Sequence, residues 1–130
     1  MRVLGVDFGL RRLGIALSDE GATLARPLRV LEVASVRHAP QAVADVAMAP
    51  DIDTVVVGVP LGLEGEERRE EVRRVERFAS ALRKLTGKDV FLVDESFTSR
   101  ETSGHDQAAA LILQRWLDRP RTNPRRGGRA

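Results

Sequence analysis

Four carboxylates in this chain stand where strands end or a helix begins, the places from which side chains reach a common point beyond the carboxyl ends of a sheet. Asp7 closes the apolar run Val3-Leu4-Gly5-Val6 and so emerges from a core strand at the sheet's edge. Asp94 and Glu95 close the run Val90-Phe91-Leu92-Val93 in the same way. Neighbouring strand residues face opposite ways, so one of these two reaches the place that Asp7 reaches. Asp106 opens a helix three residues before Ala109 and seven before Leu113, on the side that faces the sheet. Three carboxylates converging on one point would repel each other unless a cation held them. Oxygen donors suit Mg2+ or Mn2+. Two such ions can activate a water and stabilise the leaving oxygen of a phosphodiester. Each residue also has a bland reading: strand-end Asp is common, and Asp106 could merely favour a helix dipole while Ser103 caps. Their occurrence at topologically adjacent ends shifts the balance towards a site.

Glycines and arginines surround the same place. Gly9 lets backbone approach closely at the turn after Asp7, and Arg11 and Arg12 follow at once. Gly58-Val59-Pro60-Leu61-Gly62-Leu63-Glu64-Gly65 ends a buried strand in a glycine-spaced loop that can accept a phosphate or a nucleic-acid backbone. Neither stretch fits the P-loop or the dinucleotide fingerprint, so no mononucleotide site is assigned. His105 reads first as a partly exposed residue at a helix start, with positioning of water or a metal as the alternative. His38 reads as loop surface. Trp116 fits a core stripe better than a base-stacking platform.

The elements that must position these residues follow from hydrophobic period. Runs over Arg2–Asp7, 14–18 and 28–33 suggest a hairpin continued by a third strand after Pro27. Residues 41–49 read as a weak helix ended by Pro50. The β-branched run 54–59 is a strand buried on both faces. A helix over 67–85 carries the stripe Val72, Val75, Phe78, Ala79, Leu82 and Leu85, and its charge run 66–77 reads as a solvated face. Gly87 stops it. Strand 90–93 and a helix over 106–117, with Ala109, Ile112, Leu113 and Trp116 inward, complete the order β-β-β-α-β-α-β-α. The expected fold is α/β: a three-strand antiparallel meander plus two parallel strands, a five-stranded mixed sheet flanked by helices.

Five blocks then occur in order: Leu4-Gly5-Val6-Asp7-Phe8-Gly9; Arg12-Leu13-Gly14-Ile15-Ala16-Leu17-Ser18-Asp19; Val57-Gly58-Val59-Pro60-Leu61; Asp94-Glu95-Ser96-Phe97-Thr98-Ser99; and Asp106 to Gln114. Together, over 1–118, they resemble the YqgF family, also called RuvX or Holliday-junction-resolvase-like. The resemblance implies a ribonuclease H-like fold and a divalent-metal-dependent nuclease. Its implied substrate is the 5′ end of pre-16S rRNA, with activity on DNA junctions as the older proposal; branched or single-stranded DNA is the further expected partner. Carried over by position, Asp7, Glu95 and Asp106 resemble the acidic triad, which would be both catalytic and metal-binding. Gly9, Arg11, Arg12, Gly62, Ser96, Thr98 and Arg100 are the expected substrate contacts. Two departures stand out. Ser96 occupies a place where the family usually has Arg, and ten residues, 96–105, separate Glu95 from Asp106 where the family has a longer, lysine-rich segment. Ten residues extend to roughly 33–36 Å, so Asp106 can still reach the site. A non-catalytic nucleic-acid-binding or ribosome-assembly factor that kept the fold is the alternative function.

Composition narrows the remaining classes. The chain has 130 residues, enough for one domain, and too few for an actin-like ATPase with two comparable lobes. It has no cysteine, hence no disulfide framework, thiolate nucleophile or cysteine-based metal site. No apolar run reaches the roughly 18–20 residues of a membrane span, and no signal-peptide layout is read at the N-terminus, so a cytoplasmic location without membrane contact is expected. The formal charge of +2 hides an asymmetry: residues 119–130 hold five arginines and no acid, leaving 16 basic against 19 acidic side chains in the body. That tail is expected to be disordered, and its guanidinium groups suit phosphate, although a purely solubilising tail has the same composition. A monomer or homodimer is expected.

Overall fold

The computed structural model describes residues 1–60, 63–95 and 104–120, the side chains of Pro60 and Glu95 excepted. Five strands form one sheet: β1 (Arg2–Asp7), β2 (Arg12–Ser18), β3 (Ala25–Glu32), β4 (Ile52–Pro60) and β5 (Asp89–Glu95). The helices are α1 (Ala39–Ala47), preceded by a 3₁₀ turn at Val36–His38, then α2 (Gly65–Thr86) and α3 (His105–Leu117). Strand order is β3-β2-β1-β4-β5. The β1–β2 and β2–β3 pairs are antiparallel, and β1–β4 and β4–β5 are parallel. The meander and the two parallel additions are therefore as the hydrophobic periods require.

Boundaries differ for local reasons. Strand β3 begins at Ala25, so Pro27 lies inside it, opposite Ala16 at a register shift. Proline is tolerated there because β3 is an edge strand and the ladder is already irregular at that point. Helix α1 starts at Ala39 with Pro40 in its first turn, where a missing N–H costs nothing. Leu85 is 46% exposed, outside the stripe assigned to α2. The α2 charge run is a solvated face, with Arg69 2.8 Å from Glu66 and Arg74 3.1 Å from Glu71.

The sheet has two covered faces, and strand alternation decides which residue joins which. Leu4 and Val6 of β1 pack with Leu13, Ile15, Val55 and Val57 against α1 and α2. Val3, Ala16 and Val56 pack instead with Ala109, Ile112, Leu113 and Leu117 of α3. Trp116 is half-buried at the rim of this second cluster, stacked on Phe91 at 5.7 Å between ring centroids.

One of the two lysines holds the α1–β4 junction. Lys88 Nζ donates to the carbonyls of Ala47 at 2.6 Å, Ala49 at 3.0 Å and Ile52 at 2.5 Å, using all three of its donors. Lys88→Met is expected to cost about 1.5–3 kcal/mol in urea unfolding, since three carbonyls lose a charged donor. Lys88→Arg should not restore the full stability, because a planar fork cannot converge on three acceptors as a compact ammonium does.

Candidate active site

Asp7 ends β1, the central strand, and by alternation shares the α3 face with Val3 and Gly5. Its side chain is 14% exposed, and its Oδ2 lies 3.3 Å from His105 Nδ1. An ionised carboxylate only accepts, so in that state the imidazole donates. Burial raises the Asp7 pKa above its ordinary value, and the hydrogen bond and charge of His105 pull it the other way. The result is a carboxylate that is costly to ionise without a cation nearby.

Helix α3 reaches this point because two strand residues have no side chain. A Cβ on Gly5 would stand 2.7 Å from Leu113 Cβ and 3.0 Å from the Ala109 carbonyl. A Cβ on Gly14 would overlap the carbonyl of His105 and lie 2.7 Å from the Asp106 nitrogen. The helix start therefore rests directly on the β1–β2 backbone, and its first two residues are delivered to the end of β1.

Asp106 is half-buried in the first turn of α3, three residues before buried Ala109. Its Oδ1 accepts from the Gln107 backbone N–H at 2.9 Å, so the carboxylate engages its own helix start. Asp94 Oδ1 lies 3.7 Å from Arg68 of α2. That contact, with Val90 and Leu92 in the α1–α2 core and Val93 in the α3 core, assigns Asp94 to the face opposite Asp7.

The structure thus brings together Asp7 and His105, with Asp106 at the same end of the fold. Among the described residues, no group of three or more His, Cys, Asp or Glu side chains stands close enough to hold a metal ion. Arg11 is exposed, and Arg12 Nε lies 3.4 Å from Glu32. The missing side chain of Gly9 is used by the turn itself, since a Cβ there would overlap the Arg12 carbonyl. The Glu95 side chain, Gly62, Ser96, Thr98 and Arg100 lie outside the described residues, as does 121–130 of the tail. Arg119, at the tail's start, stands 3.6 Å over the Trp116 ring. His105 is the residue that sequence reasoning undervalued. The signal available for it was its place beside Asp106 on a helix that the side-chain-free Gly14 lets close on the sheet.

The chain is 36% identical over 134 aligned positions to a protein of Anaeromyxobacter sp. (strain Fw109-5), covering 91% of this chain and 97% of that one. It is 30% identical over 135 positions to a protein of Maridesulfovibrio salexigens, covering 92% and 99%. Both are named "Putative pre-16S rRNA nuclease". More positions are aligned than this chain supplies residues, so these relatives carry segments that it lacks. Thermus thermophilus RuvC, solved in complex with a Holliday junction substrate, superposes with a TM-score of 0.64 at 17% identity, over 90% of this chain and 93% of RuvC. The fold is ribonuclease H-like. The family model described as "RuvX: Holliday junction resolvase" matches residues 1–119, and the chain belongs to that family.

Proposed function

We propose that the protein is a divalent-metal-dependent nuclease that hydrolyses phosphodiester bonds in structured nucleic acid, with the 5′ end of pre-16S rRNA as its first substrate and DNA junctions as its second. The observation that carries this reading is a mostly buried carboxylate, Asp7, at the end of the central strand, with the α3 start laid directly against it. The names of the relatives support the substrate class.

The donor chemistry fits Mg2+ or Mn2+: Asp7, Glu95 and Asp106 would hold the ion through oxygen atoms alone. When bound, such an ion supplies Lewis acidity to the phosphodiester and its attacking water. Asp7 contributes a carboxylate kept from bulk water, and His105 fixes its orientation through Oδ2. Strand alternation supports Glu95 over Asp94, since Asp94 is on the α2 side. Attack by water breaks the P–O3′ bond and leaves a 3′-hydroxyl and a 5′-phosphate. A reducing, cytoplasmic setting accords with this role; among the described residues no helix is long and apolar enough to cross a membrane.

The hydrogen bond of Asp106 to its own helix favours a second reading, a nucleic-acid-binding or assembly factor without catalysis. End-labelled single-stranded RNA and four-way DNA junctions separate the two. The nuclease reading expects cleavage with Mg2+ or Mn2+ that EDTA abolishes. Binding without cleavage in either metal would select the second reading.

A further inference from the structure

On the side of the sheet that carries α1 and α2, a cavity of ≈ 230 Å³ opens beside the turn that follows Asp7. Its aromatic wall is Phe8 against Phe78, with ring centroids 4.9 Å apart and planes tilted by 40°. Val36 and Pro40 add apolar surface, and the lining is completed by Arg37, Arg74 and Arg77. Arg74 is neutralised by Glu71 at 3.1 Å. Arg37 and Arg77 are exposed and have no acidic partner among the described residues.

An apolar slot with an aromatic wall and uncompensated guanidinium groups at its rim suits a flat ring that carries negative charge outside the slot. A base of a polynucleotide has that form: its π-face stacks while its phosphates stay in water. The cavity is smaller than the roughly 300–1,000 Å³ of a site that encloses a drug-sized ligand, which leaves room for a ring but not for ribose and phosphate as well. Those must lie at the rim, where Arg37 and Arg77 stand. Phe8 directly follows Asp7, and the two lie on opposite faces of the sheet at one strand end. A strand crossing that end can therefore meet both.

We propose that this cavity holds one unstacked base of a single-stranded segment flanking the cleaved phosphodiester, with Arg37 and Arg77 on its phosphates. Cleavage of that phosphodiester rests on the nuclease reading above; the binding does not. The test uses the full chain, EDTA and a fluorescein-labelled single-stranded RNA of about 12 nucleotides, with anisotropy titrations over a range of salt. Arg37→Gln combined with Arg77→Gln should weaken binding roughly tenfold at low salt. It should also lower the slope of log K against log salt by about 1.4, the loss of two phosphate contacts on a single strand. Val36→Trp, at a position already 41% exposed, fills the slot without touching the core. It should weaken the base-bearing strand and leave an abasic strand of the same length unaffected. An unchanged slope in the double variant, or equal weakening of both strands by Val36→Trp, would overturn the proposal. Uridine monophosphate competing as tightly as the strand would assign the cavity to a free nucleotide and overturn it too. Because binding is read without metal, failure here leaves the cleavage result standing, and absence of cleavage leaves the slope test standing.

Discussion

Asp7→Asn is expected to lower turnover of nucleic-acid cleavage by on the order of 10³-fold while leaving substrate affinity within a few-fold of the parent. Asparagine keeps the shape of the side chain and its bond to His105 but loses the charge on which the proposed chemistry depends. The same change should not destabilise the fold. Burial raises the pKa of Asp7, which means that the ionised group is less favourable in the folded chain than in the unfolded one at neutral pH. The neutral amide removes that cost, so the variant should melt at the parent's temperature or above it. Stability given up at a site in exchange for function is the usual pattern. Single-turnover cleavage, together with a thermal melt of the same preparation, checks both halves.

Gly14→Ala should lower both stability and rate, and through geometry alone. The added methyl would overlap the His105 carbonyl, which is backbone and cannot rotate away. Relief requires α3 to lift from the sheet at its first turn, carrying His105 and Asp106 away from Asp7. Overpacking of this kind costs about 1–3 kcal/mol. A displacement of about 1 Å at the reacting groups costs on the order of 10²-fold in rate. Gly21→Ala is the matched control: a Cβ there meets only Asp19 Oδ2, at 3.8 Å, and both stability and rate should stay at parental values. Equal behaviour of the two variants in urea unfolding and in cleavage would remove the packing account of the site.

Period and composition carried the architecture because both faces of the sheet are covered. In β1, alternation alone sorts Leu4 and Val6 from Val3, Gly5 and Asp7, and the structure sorts them the same way. Strand ends were harder to read. Pro27 reads as a boundary because proline cannot donate to a ladder, yet it lies within an edge strand, opposite Ala16 where the register shifts. The same limit hid His105. A histidine at a helix start has many uses, and its contact with Asp7 depends on how closely α3 can approach, which Gly14 decides from 91 residues earlier. Spacing puts Asp106 three residues before buried Ala109, but spacing does not reveal that its carboxylate turns onto the Gln107 N–H. Arg12 is a further case. Its place after the turn suggested a substrate contact, and the β2–β3 pairing sets it across from Glu32.

In the proposed mechanism one face of the sheet, the α3 face, carries the hydrolytic carboxylates. Asp94 and Glu95 are adjacent in sequence, and Asp94 stands on the other face beside Arg68. Cleavage rates of Asp94→Asn and Glu95→Gln, measured side by side with Mg2+ on one labelled substrate, therefore test that placement directly. Asp94→Asn should stay within a few-fold of the parent, and Glu95→Gln should fall by on the order of 10³-fold, as Asp7→Asn does. Undiminished cleavage by Glu95→Gln, or its loss in Asp94→Asn alone, would contradict that placement.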